Sequence, residues 1–177
     1  MVCHWRGRKA GALRGPMMFI EFETWRRAVP SHRGMRASGL VNFQWSCHTV
    51  ASHRQKPVHT EWLNRTDVWP NRLFAESLRE AIGDSGPVLT WSHFEATTLR
   101  QLVADLGRFG HVVPELVEWI TDVFDNRIVD MHEWARRDYY NPGMRGKTGI
   151  KVVLDALWKS DGGMREQFSA WTGLPAD

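Results

Sequence analysis

The chain has 177 residues, 42% of them hydrophobic, with two cysteines and a formal net charge of +3. That length suits one compact core, and no run reaches the roughly 18 apolar residues of a membrane span. Cys3 and Cys47 form neither a disulfide framework nor a CxxC pair, so the expected compartment is a reducing cytoplasm.

Residues 1–16, "MVCHWRGRKAGALRGP", have no period and many Arg and Gly, and read as a disordered basic leader. "MMFIEFE" reads as the first strand, "AVPSHRGMRASGL" as a loop. "VNFQWSCHTV" alternates, with Phe43, Trp45 and Cys47 on one face and Gln44, Ser46 and His48 on the other. "KPVHTEWL" is a weaker third strand. The period then changes. "NRLFAESLREAIG" sets Leu73, Phe74, Leu78, Ala81 and Ile82 near helical spacing, with Gly83 as the stop. "PVLTW" is a short buried strand, and "SHFEATTLRQLVADLG" a helix closed by Gly107. "PELVEWITDVF" has Pro114 in a first turn and an apolar face of Leu116, Trp119, Ile120 and Val123. "RIVDMHEWARR" turns from strand to helix, "DYYNPGMRGKTG" is a loop, and "IKVVLDALW" is a helix with Ile150, Val153, Leu154 and Leu157 on one face. Strands first, then helices around at least one more strand, give a mixed α/β layer over residues 17–177.

Chemistry enters at Glu21 and Glu23. Two residues apart on a strand they share a face, about 7 Å from each other. Like charges so placed are either solvated or hold a hard divalent cation, which takes oxygen ligands; the pattern alone leaves both open. Glu95 begins the stripe Leu99, Leu102, Leu106, but Ser92-x-x-Glu95 also matches a capping box, the reading the sequence favours. Asp130-x-x-Glu133 is a second such start. Arg145, Lys147 and Lys151 flank a predicted helix N-terminus, where backbone N–H groups can hold phosphate; a solvated loop is the competing reading. The histidines show no HxxxH or HExxH spacing, against a zinc site of that kind. Charge is uneven. Residues 1–70 carry 11 Lys/Arg and 4 Asp/Glu, a net of +7; residues 71–177 carry 12 and 16, a net of −4. A basic half suits an anionic partner such as nucleic acid, or is merely a solvated surface.

The strings "FIEFETWRRAVPSHRGMR", "FQWSCH", "GPVLTWSHFEATTLRQL" and "RIVDMHEWARRDYYNPGMRGKTGIKVVLDAL" follow in an order that resembles an uncharacterised bacterial domain family. That family is similar to the DEDD 3′–5′ exonucleases of the ribonuclease H-like superfamily, and the resemblance covers about residues 17–175. It implies a ribonuclease H-like mixed sheet flanked by helices. "MMFIEFE" would be central, "VNFQWSCHTV" antiparallel to it, and "PVLTW" parallel on its other side. It implies Mg²⁺ or Mn²⁺ on the Asp-x-Glu-Thr motif, here Glu21-Phe22-Glu23-Thr24, with Glu in the first place. Phe94-Glu95 matches the second motif, so Glu21, Glu23 and Glu95 become the implied catalytic carboxylates and metal ligands. Asp130 is a further metal ligand by position. The third motif, Tyr-x-x-x-Asp or His-x-x-x-x-Asp, does not occur: Tyr139 and Tyr140 are followed four residues later by Gly143 and Met144. The chain therefore reads as a fragment ending before that helix, inactive or weak as a nuclease. The alternative is a non-catalytic nucleic-acid or protein-binding module that keeps the fold.

Overall fold

Met18, Ile20 and Phe22 alternate with Phe19, Glu21 and Glu23 along β1 (Met17–Arg26); the first three are buried and both glutamates are exposed. In this computed structural model, which describes residues 13, 15–52 and 55–175, β1 is the middle strand of five. The others are β2 (Leu40–Val50), β3 (Val58–Leu63), β4 (Val88–Thr90) and β5 (Ile128–Asp130), in the order β3-β2-β1-β4-β5. β2 runs antiparallel to β1 and β4 parallel to it, as the sequence led us to expect. The first pairing needs only a loop; the second needs a crossover. The proposed leader lies almost wholly outside the described residues, which include only Leu13, Gly15 and Pro16 of it.

The expected alternation of β2 holds for Trp45 and Cys47, both buried, and fails at Phe43. Glu23 pairs with Gln44 and Thr24 with Asn42, so Phe43 is the extra residue of a β-bulge. The bulge reverses the facing of the strand end, leaving Phe43 half-buried and Asn42 fully buried.

Described residues fall into two compact units, divided between Val129 and Asp130. In the first, α1 (Asn71–Ile82), α2 (Phe94–Arg108) and α3 (Pro114–Asp122) build one core with the inner face of the sheet. Ile20, Phe22 and Trp45 meet Phe74, Leu78, Leu99, Leu102, Leu106 and Ile120 in that core. Leu73, expected on the apolar face of α1, is instead exposed, because Phe74, Leu78 and Ile82 define a narrower stripe. Asn71 clamps the start of α1 to β2: its Oδ1 accepts from the Asn42 backbone N–H at 2.8 Å and its Nδ2 donates to the Leu40 carbonyl at 3.1 Å.

The other end of α1 is held by a buried arginine. A π-helical turn, Val123–Arg127, follows α3. From its last residue the guanidinium donates to the carbonyls of Ile82, Gly83, Ser85 and Gly86 at 2.8–3.1 Å. Those carbonyls lie at and just past the helix C-terminus, where backbone acceptors lack intrahelical donors and a cation is favoured. Burial disfavours the Arg127 charge, while Asp122 and Asp84 act to keep it. Gly86 lets this turn approach β1: at φ +91° a Cβ would lie 2.8 Å from the Pro16 carbonyl oxygen.

The second unit contains α4 (Met131–Asp138), α5 (Ile150–Ser160) and α6 (Gly162–Thr172). Asn141, buried in the α4–α5 loop, donates to the Ala156 carbonyl and to Ser160 Oγ and accepts from the Gly143 N–H. On α5 the expected stripe is shifted. Val153 and Ala156 are buried, whereas Ile150 and Leu154 are exposed. The sequence reading placed no helix at α6, which buries none of its residues and starts from Asp161 accepting the Met164 N–H.

Candidate functional site

Glu21 and Glu23 stand on the outer face of the central strand, opposite Ser46 and Gln44 of β2. Strand alternation puts both carboxylates on the side away from Met18, Ile20 and Phe22. The β2 bulge lies beside Glu23, a position where bulges commonly re-aim side chains.

Glu95 is placed differently. Its expected capping box does not form: α2 begins at Phe94, its N-cap is His93 with no side-chain cap, and Ser92 Oγ accepts from the Phe94 N–H at 3.3 Å. With the helix starting there, Glu95 is turned onto the buried stripe of Leu99, Leu102 and Leu106 and is 6% exposed. That stripe packs on the core face of the sheet, whereas Glu21 and Glu23 occupy the other face. Asp130 does cap a helix, accepting the His132 N–H at 2.8 Å at the start of α4. Its partner in the expected box, Glu133, instead binds Arg136 through both carboxylate oxygens.

Among the described residues no group of three or more His, Cys, Asp or Glu side chains is arranged to hold a metal ion. A two-metal site needs several carboxylates around each ion pair. Among the described residues the acids therefore do not supply a ready shell for Mg²⁺ or Mn²⁺.

The basic residues singled out in the sequence, Arg145, Lys147 and Lys151, are all exposed in the second unit, beside the N-terminus of α5. Arg145 adopts a left-handed conformation, φ 49°, closing the short 3₁₀ turn Pro142–Met144. A stacked pair outside the residues singled out in the sequence stands at the end of β1. Trp25 is 49% exposed, and the Arg27 guanidinium lies over its ring at 4.5 Å from the centroid. Exposed indole with a stacked guanidinium is a surface on which a nucleobase can also stack. Its signal in the sequence was the placement of Trp25 two residues beyond Glu23, on the same strand face.

The loop after β1 is tied down by a buried acid. Asp105 of α2 faces Arg36 and Arg108, each at 3.6 Å. Burial pushes its carboxyl up, and the two arginines pull it back only in part. Beside it, Trp69 and Phe109 stack at 3.9 Å and 9°.

The architecture defined so far is an α/β unit around a five-stranded mixed sheet, with an acid pair on the open face of its central strand. The chain belongs to a family known as a domain of unknown function, DUF2779, which matches residues 18–149. No curated protein and no solved structure matches it. Among the described residues, no helix is long and apolar enough to cross a membrane.

Proposed function

We propose that the chain is a ribonuclease H-like nucleic-acid-processing domain, related to metal-dependent 3′–5′ exonucleases and a poor nuclease as it stands. One observation carries the reading. The strand that bears Glu21 and Glu23 is central in the order β3-β2-β1-β4-β5, antiparallel to one neighbour and parallel to the other. An acid pair on such a strand suits Mg²⁺ or Mn²⁺ as the ions of phosphodiester hydrolysis. The scatter of the other carboxylates, with Glu95 on the core stripe and Asp130 spent on a helix cap, supports weak activity. It also favours a second reading, a non-catalytic nucleic-acid-binding module, for which Trp25 and Arg27 offer the contact.

The test is an assay on labelled single-stranded DNA and RNA with Mg²⁺ or Mn²⁺. The expected result is binding with little cleavage. Robust cleavage that Glu23→Gln abolishes would contradict the poor-nuclease reading and establish the acid pair as a working metal site. Absence of both binding and cleavage would sink both readings.

A further inference from the structure

The arginines of the first unit fall into two groups. On the helices, Arg72, Arg79 and Arg100 each face a carboxylate, those of Glu76, Asp84 and Asp125, at 2.8–3.7 Å. Around the C-terminal end of β1, by contrast, Arg26, Arg27, Arg33 and Arg65 are exposed and have no carboxylate partner among the described residues. The fold gathers these cations. His32 Nε2 lies 3.1 Å from the Asp67 carbonyl oxygen, which joins the β1–β2 loop to the loop before α1. Arg36 and Arg108 share the buried Asp105 carboxylate, which joins the same β1–β2 loop to the end of α2. Phe109, just past α2, stacks on Trp69 and joins the remaining two segments. We propose that this end of the first unit is a shelf for single-stranded nucleic acid, with Arg33 and Arg65 on phosphates and the Trp25 and His111 rings under bases.

Charge and exposed rings together support it. Residues 27–39, 64–70 and 105–111 hold five arginines, at 27, 33, 36, 65 and 108, against two acids, Asp67 and Asp105. Asp105 is buried and already faced by two of the arginines, which leaves Asp67 as the exposed acid of the three segments. Guanidinium groups held close without counter-charges repel each other, and an anionic polymer laid across them relieves that repulsion and releases its own counterions. Arg33 adjoins His32, and Arg65 stands two residues before Asp67, so the tie between the two loops sets both on one surface. The rings decide what kind of polymer. Trp25 is half-exposed, and His111 is exposed and extends the Trp69 stack, 5.8 Å from it at 19°. Bases reach such rings when they are free of a duplex, which favours a single strand. An acidic protein would match the charge and leave the rings without a role. The inference rests on the nucleic-acid-binding reading and adds to it the surface and the strand state.

The experiment compares the full chain with two double variants that remove equal charge, each checked by circular dichroism. One is Arg33→Gln with Arg65→Gln on the shelf; the other is Arg72→Gln with Arg100→Gln on the helices. Each is titrated, without divalent metal, against a labelled single-stranded oligonucleotide and its duplex over a range of salt. We expect the shelf variant to bind the single strand about tenfold more weakly at low salt. Its log–log salt slope should be shallower by about 1.4, the share of two phosphate contacts on a single strand. The helix variant should keep the parent's slope, and the parent should prefer the single strand to the duplex. A parent that binds while the shelf variant keeps its affinity and slope, or while both variants lose equally, would overturn the shelf and leave the binding reading standing. Duplex bound as tightly as single strand would overturn the assignment of the rings to bases, and with it the shelf as proposed. A parent that binds neither nucleic acid at the lowest salt would overturn the binding reading and the shelf together.

Discussion

Arg127 shows how much one side chain can carry. Its four carbonyl acceptors lie at the end of α1 and in the turn leading to β4. A methionine there keeps much of the volume but removes the donor those carbonyls share, although the Gly83 carbonyl keeps Trp119 Nε1 at 3.0 Å. We predict that Arg127→Met lowers stability by about 3 kcal/mol or more in a urea titration, since each abandoned buried acceptor costs on the order of 1–3 kcal/mol. Asp105 is the opposite case, a charge the fold tolerates poorly. Its carboxyl is raised by burial, so the native state holds its proton to a higher pH than the unfolded chain. Stability from this group is complete below the ordinary carboxylate range and is lost as pH rises through the raised value. Asp105→Asn should therefore gain on the parent between about pH 3 and pH 7, read as the difference in urea midpoint. A constant difference across that range would show that Arg36 and Arg108 fully offset the burial.

The strands and helices of the first unit follow closely from period and composition, and their ends do not. β1, α1 and α3 sit where alternation and the i, i+3, i+4 pattern put them. The Phe43 bulge was hidden because a single extra residue leaves composition untouched and shows only in pairing. The cap at Ser92 was misread because the same residues fit a helix starting one position later, and burial of Glu95 with Leu99, Leu102 and Leu106 decided between them. α6 was missed because it has no buried face to give a period. His48 and His59 meet only through the register of β2 with β3, which no residue pattern states. At this scale the exposed end of β1 gives a clear test. Trp25→Ala should weaken single-strand binding by about 1–3 kcal/mol, the usual worth of one aromatic stacking contact, with the fold unchanged by circular dichroism. Unchanged affinity would remove Trp25 and Arg27 from any nucleic-acid interface.

Across the whole molecule, the proposed nucleic-acid binding rests on charge. The first 70 residues carry a net +7 and the remainder a net −4. β1 and the arginine-rich loop after it lie in the basic part, with Arg26, Arg27, Arg33 and Arg36 close in sequence to the acid pair. Contacts between such a surface and phosphates release counterions, so affinity depends steeply on salt. Arg6, Arg8, Lys9 and Arg14 would add to that dependence whatever conformation their segment takes. The most direct measurement is fluorescence anisotropy of a labelled single strand titrated with the full chain between about 50 and 200 mM salt. The account predicts affinity that falls linearly in log–log form as salt rises, with a shallower slope once residues 1–16 are deleted. Binding indifferent to salt, or none at the lowest salt, would contradict it.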